Sequence, residues 1–423
     1  MIFNTLYADK KDRLFDEPKL KMLGRSGEYW VEPETEDMIP LPEGASLVRV
    51  PGHIAVGMDE KGEIQTVKAP GQKETWAVAA LLPQGFTRTL LPAGAKADKK
   101  AGLPLLGYTA VGMRDGQIYA AAVQSDEHDK WHPKHFNTSD LKRKIESLQK
   151  ACPKNQIYSQ LSHCAQNYSC YTAQNIFYQR WEGGIPTTKE CNARCLGCIS
   201  EKHTEASPPQ ERIKYSPAAR EIFEVGVNHL LNSADGIISF GQGCEGDPVL
   251  NHDLLAEAIQ LIRAETLAGM ININTNAGHT EGIKCLCQAG LDSVRVSMFS
   301  CREENYTRYH RPKNYNLAQV CQSVQIAKDW GCFVALNLLT FPGFSDQEQE
   351  IEALISFVEK YGVDMIQFRN LNIDPDQLIR RTPMQEKGIG INNMINLLRH
   401  ELPRLRLGSY TPAVKRRRKL TGR

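Results

Sequence analysis

Cys191-Asn192-Ala193-Arg194-Cys195-Leu196-Gly197-Cys198 decides how the rest of the chain is read. Its three cysteines, separated by three and then two residues, follow a short β-like run from Gly184 to Lys189. This spacing lets one loop curl around a single inorganic centre and present three thiolates to it. Thiolates are the usual ligands of iron–sulfur clusters, which normally take four. A local set of three leaves one iron open to another ligand. Zinc knuckles and redox dithiols use similar spacings, and the motif alone keeps those readings open.

Downstream, short apolar segments alternate with amphipathic ones. "GIISFG" (236–241), "GMININTN" (269–276), "DSVRVSM" (292–298), "CFVALNLLT" (332–340) and "VDMIQFRNL" (363–371) read as strands. Between them lie helical patterns, the first, "SPAAREIFEVGVNHLLNSA", with Ser216 as N-cap and Pro217 at the first helical position. Counting the run before the cysteines, six strands alternate with helices, the pattern of parallel βα units. The expected fold class is α/β, a partial (β/α)6 TIM-like barrel over residues 184–372. Sites on such barrels sit at the C-terminal ends of strands, where the cysteine loop stands.

Here the sequence resembles the radical S-adenosylmethionine (radical SAM) superfamily, whose hallmark is Cys-x3-Cys-x2-Cys after the first barrel strand. The resemblance implies a [4Fe-4S] cluster on Cys191, Cys195 and Cys198, whose open iron chelates SAM. It further implies cleavage of SAM to methionine and a 5′-deoxyadenosyl radical, which abstracts hydrogen from a substrate, small molecule or peptide before RNA. An external reductant such as flavodoxin or ferredoxin would supply the electron. Many relatives carry an aromatic residue before the third cysteine; Gly197 stands here, leaving Ile199 or Phe240 to pack the adenine.

The other strand ends extend the likeness. "GQGCEGDP" (241–248) resembles the family's Gly-Gly-Glu-Pro motif and makes Gly241, Gly243, Glu245 and Asp247 candidates for SAM binding. Cys244 departs from the motif. "NTNAG" offers Asn274 and Asn276, and the fourth strand offers Ser297, alternating with Arg295. "YTRYHRP" resembles a Tyr-x3-Arg stretch of related enzymes and supplies Arg308, with Arg311 beside it. The sixth strand presents Gln367, Arg369 and Asn370, a polar trio that would be costly if buried without partners and so points to a cavity; Arg369 joins the SAM set.

Before the barrel, residues 1–137 read as a small β-rich domain. Met1 to Pro42 looks like an irregular arm. Two hairpins follow, turning at Lys61-Gly62 and Asp115-Gly116; their shared "AVGM" is better explained by similar turns than by duplication. His128, His132 and His135 beside Asp126 read as surface residues before metal ligands. Residues 138–183 form a bridge, opened by a helix, that carries Cys152, Cys164 and Cys170. These are candidates for a second iron–sulfur cluster or a zinc, against the simpler reading of buried thiols. Residues 373–423 hold a helix and end in the basic run Lys415–Arg423. That run raises RNA modification as an alternative function, although basic tails are usually solvated.

Composition restricts the field. In 423 residues with a net charge of +2 there is no global pull toward nucleic acid or membrane. No apolar run reaches the roughly 18 residues that span a bilayer. Twelve cysteines without a secretory leader point to a reducing cytoplasm. Against the enzyme stands a metal-binding or electron-transfer module without catalysis, which needs no polar residues at the ends of strands two to six.

Overall fold

The computed structural model describes residues 2–68, 74–97, 102–127, 129–203, 207–384 and 386–414. The basic run Lys415–Arg423, part of the Gly/Ala/Lys loop after Leu91, and His128 lie outside the described residues.

The barrel sheet has seven strands in sequential order, all parallel. They are β1 (Glu182–Gly184), β2 (Ile237–Phe240), β3 (Met270–Thr275), β4 (Ser293–Met298), β5 (Phe333–Thr340), β6 (Met365–Asn370) and β7 (Arg406–Gly408). The seventh strand was not expected from the sequence. "RLG" is too short and too polar to announce itself, yet it pairs in parallel with Met365–Gln367. β1 ends at Gly184, and the run after it stays extended, opened by Ile185 N–H donating to Ser239 O at 3.0 Å.

Three helices precede the sheet: α1 (Leu141–Ala151), α2 (Gln156–Asn167) and α3 (Tyr171–Tyr178). Asn155 caps α2 by accepting from the backbone N–H groups of Ile157 and Tyr158. The helices between strands are α4 (Ala219–Asn232), α5 (His252–Glu265), α6 (Thr280–Ala289), α7 (Glu303–His310), α8 (Leu317–Asp329), α9 (Glu348–Tyr361), α10 (Pro375–Arg381) and α11 (Ile391–Glu401). α4 starts two residues later than the Ser-Pro pair suggested. Glu221 reaches back to accept the Ala218 N–H at 2.9 Å, so the carboxylate sets the helix start. α11 crosses back to β7 as part of the barrel.

Strand alternation divides the sheet into two chemistries. Toward the helices point Ile238 and Phe240, Ile271 and Ile273, Val294 and Val296, all within the large apolar core. Toward the lumen point polar residues: Glu182, Ser239, Asn272, Arg295, Asn337 and Gln367 hydrogen-bond there to one another or to side chains close by. An apolar outer face covered by helices makes the fold, and the polar inner face leaves a site.

Among the described residues, the segment from Ile2 to Pro42 is not an arm. Asn4–Ala8 lies inside an eleven-stranded, largely antiparallel sheet, bonded to strands at Leu14–Met22, Trp76–Leu81 and Tyr108–Arg114. The polar stretch from Leu14 to Lys19 hid this strand because its side chains are exposed or half-buried, so it shows no buried alternation. Both expected hairpins form; Asp115 and Gly116 have φ of 49° and 75°, the two positive values a two-residue turn requires.

This β-rich region leans on the open flank of the barrel at β6. The Asn370 amide accepts from Arg88 N–H and donates to Phe86 O, each at 3.0 Å, mimicking one residue of a strand partner. Arg88, 1% exposed, donates to Tyr108 O at 3.2 Å and to Leu371 O. Arg25 and Lys96 both pair with Asp376, at 2.7 and 2.6 Å.

Candidate active site

The cysteine loop sits above the C-terminal ends of the strands and is clamped by the end of α7. Arg194 N–H donates to His310 O, Leu196 N–H to Tyr309 O, and Lys313 N–H to Asn192 O, at 3.0, 3.1 and 2.7 Å. Arg311 closes α7 in the left-handed region at φ 47°, and its Nε donates to Arg194 O at 2.5 Å. Arg311 therefore holds the loop through its Nε, while its buried Nη2 meets no partner among the described residues.

The three thiols fit an iron–sulfur centre. Burial pushes the Cys191 thiol up to about 11. Cys195 is raised further, first by burial and then by the closeness of Cys191 and Cys198. Cys191 and Cys195, so raised, need a cationic centre to release their protons. Donors are ready for the charge: His310 Nδ1 is 3.4 Å from Cys195 Sγ, and Arg212 Nη2 and Ser200 Oγ are each 3.8 Å from Cys198 Sγ. Among the described residues, no three His, Cys, Asp or Glu side chains gather closely enough to hold one metal ion. A cubane presents a separate iron to each thiolate and asks for wider spacing than a zinc knuckle does.

The motif after β2 is a bracket. Glu245, 4% exposed, accepts from the N–H groups of Thr187 and Thr188 on one oxygen and of Gly241 and Gln242 on the other, at 2.6 to 3.0 Å. Burial pushes its carboxyl up to about 7, opposed by these four N–H bonds. Asp247 accepts from Val249 N–H, Asn276 N–H and Thr275 Oγ. Both acids thus tie β1, β2 and β3 together at their tops and offer no free carboxylate oxygen to SAM, contrary to the expectation for Glu245 and Asp247. Gly241, at φ 85°, lies where an added Cβ would come within 1.9 Å of Asn274 O. Gly243 packs under Ile199 and Gln210 in the same way.

Other expected residues divide. Asn274 donates to Gly241 O at 3.1 Å, and Asn276 to Asn192 Oδ1 at 2.7 Å, so both brace the loops that would surround SAM. Ser297 faces the lumen, half-buried. Arg308 does not approach the site. It pairs with Glu304 one turn earlier on the outside of α7, at 2.5 Å. Arg369 lies inside, donating to Asn337 Oδ1 at 2.8 Å and Gln367 Oε1 at 2.9 Å. The polar trio of β6 is split by alternation: Gln367 and Arg369 face the lumen, and Asn370 turns to the β-rich region. Phe240 is fully buried on the helix side and cannot pack an adenine. An added Cβ at Gly197 would meet Tyr309 Oη at 2.8 Å, so the missing aromatic makes room for this tyrosine.

Cys152, Cys164 and Cys170 do not form one site. Cys152 ends α1 near Glu224, whereas Cys164 faces Cys244 across the α2 interface, with Cys170 close by. Cys152 stands at the end of α1, whereas Cys164 lies within α2 and Cys170 at the start of α3, so different elements separate the first from the others. Asp126, His132 and His135 also part: Asp126 accepts from Ser409 N–H, and His132 caps a turn at Lys134.

The sequence reading missed the floor. Glu182 and Arg295, each 7% exposed in their side chains, pair at 2.9 Å, and Thr411 bonds Arg295 and Gln367 from below. No spacing links residues 182, 295 and 411; only closure of the sheet brings them together. A cleft of about 340 Å³ runs from Arg369 between β6 and the β-rich region, past Gln84, Phe86 and Asn372.

Residues 185–357 match the family model described as the Radical SAM superfamily. This part of the chain is a radical SAM domain. The superfamily uses a [4Fe-4S] cluster and SAM. Among its relatives are a probable GTP 3′,8-cyclase of Methanosarcina acetivorans, 27% identical over 205 residues, covering 45% of this chain and 55% of that protein. The GTP 3′,8-cyclase of Aquifex aeolicus is 28% identical over 188 residues, covering 43% and 53%. The chain thus spans about half the length of the relatives it matches. Among solved structures, the hydrogenase maturase HydG from Carboxydothermus hydrogenoformans is 17% identical, with a TM-score of 0.38, over 63% of this chain and 68% of that one. Among the described residues, no helix is long and apolar enough to cross a membrane.

Proposed function

We propose that the chain is a radical SAM enzyme acting on a substrate held by an anionic group in the barrel lumen. The observation that carries the reading is the convergence of Cys191, Cys195 and Cys198 at the top of a parallel half-barrel with a polar lumen. When bound, the cluster and SAM supply one-electron reduction and a carbon radical able to abstract hydrogen. An outside reductant of the flavodoxin or ferredoxin class provides the electron.

The chain's own residues do the rest. Cys191, Cys195 and Cys198 hold the cluster, and the α7 clamp keeps their loop in place. Glu245, Asp247, Asn274 and Asn276 fix the loop tops and the Gly241 backbone, leaving the backbone at Gly243 and the Ser297 hydroxyl for SAM. Arg369 hydrogen-bonds to neutral amides, and Glu182, the carboxylate paired in the lumen, is spent on Arg295. A guanidinium so placed suits a carboxylate or phosphate. GTP, named in the relatives' activity, belongs to that class. A non-catalytic electron carrier would have no use for this polar lumen.

The test is anaerobic iron and sulfide analysis with EPR of the reduced protein, with and without SAM. About four irons per chain and a spectrum that shifts with SAM are expected. Cys195→Ala should lose both and form no 5′-deoxyadenosine. Production of 5′-deoxyadenosine by that variant overturns the assignment.

A further inference from the structure

His310 meets the cysteine loop through both its backbone and its ring, and its surroundings are built around it. It is 1% exposed, stacked on Tyr306 at 4.4 Å between ring centres, with Tyr309 edge-on at 5.0 Å. Its backbone carbonyl holds Arg194 in the cysteine loop. Nδ1 stands 3.4 Å from Cys195 Sγ, while the buried Nε2 meets no partner among the described residues. The sulfur is thus the polar contact that accounts for the orientation of the ring.

We propose that His310 is a positioning residue for the cluster, its Nδ1–H donating to the Cys195 sulfur and thereby raising the reduction potential of the centre. The chemistry fixes the direction of the bond. A free thiol can donate to Nδ1, but a ligating thiolate has no proton, so the ring proton must stand on Nδ1. A hydrogen bond to a ligand sulfur draws electron density from it. It favours the reduced, more negative state and is one of the levers by which proteins set cluster potentials. Sequence proximity does not reveal the pair, since 115 residues separate the two.

This inference rests on the reading of Cys195 as a cluster ligand, and the experiment separates the two. The full chain, His310→Leu and His310→Asn are reconstituted anaerobically with iron and sulfide. Iron and sulfide are counted, and the midpoint potential is read by EPR-monitored redox titration. An unaltered chain that takes up no cluster sinks the ligand reading itself. With cluster in all three, the leucine variant should shift negative by roughly tenfold in the reduction equilibrium, about 59 mV for one electron. The asparagine variant, whose amide N–H can occupy the place of Nδ1–H, should recover at least half of that shift. A leucine variant with unchanged potential, or equal shifts in both variants, overturns the proposal. Should leucine fail to load, His310→Phe, which fills the space between the tyrosines, takes its place with the same expectation.

Discussion

At the scale of single residues, the carboxylates after β2 carry the sharpest lesson. The motif suggested acids that face a ligand, but Glu245 spends both oxygens on four backbone N–H groups. A carboxylate is acceptor-only, which is what four converging donors require. Glu245→Gln keeps the size and puts an NH₂ against two of them. It should destabilise the protein by about 2 kcal/mol, the order of an unsatisfied buried donor, read as a lower urea midpoint. An unchanged midpoint would mean that the bracket does not hold the loops. Cys244, next in sequence, sits against Cys164 because the same bracket turns it into the α2 interface.

At the scale of elements, α4 is anchored to the start of the sheet by His229. Its Nε2–H donates to Trp181 O at 2.8 Å, and the ring is 1% exposed. Burial lowers its pKa from the ordinary 6.5 to about 4. The neutral ring is the native form, so its contribution is complete above the unfolded value and is lost as the pH falls through the folded one. Stability should decline between about pH 6.5 and 4 by roughly 3 kcal/mol from this residue. His229→Gln should flatten that part of a urea-midpoint profile against pH. If wild type and variant decline in parallel, some other group governs the acid limb. α7 shows a second way in which an element serves the site: its exposed face carries the Arg308–Glu304 pair, and its last residues hold the cysteine loop.

For the whole molecule, the β-rich region closes the flank that the half-barrel leaves open. Asp376 receives Arg25 and Lys96 from that region, with all three partly buried. Burial raises the Asp376 carboxyl, but these two cations outweigh it and pull the group below the usual carboxylate range. Asp376→Ala should weaken docking by about 1 kcal/mol and speed amide hydrogen exchange in Phe86–Arg88 and Met365–Asn370 together. Faster exchange in the first segment alone would show that the two regions do not support each other. Since the cleft from Arg369 runs between them, docking also sets the shape of that cleft.

What the sequence determined by itself was whatever depends on short spacing. The three cysteines occupy one loop, the period of two along β2 to β6 separates helix-facing from lumen-facing residues, and the glycine turns place the hairpins. These signals are local, so the barrel and its cluster loop were legible in advance. Tertiary structure decided what depends on closure. It put β7 and Thr411 beneath the lumen, paired Glu182 with Arg295, set His310 against Cys195 and made a strand of the supposed arm at Asn4–Ala8. It also withdrew Arg308 and Cys152 from the sites proposed for them. A residue's type and neighbours in sequence state what it can bond to; which partner it meets is fixed only when distant strands and helices pack, because burial leaves each polar group few partners to choose from.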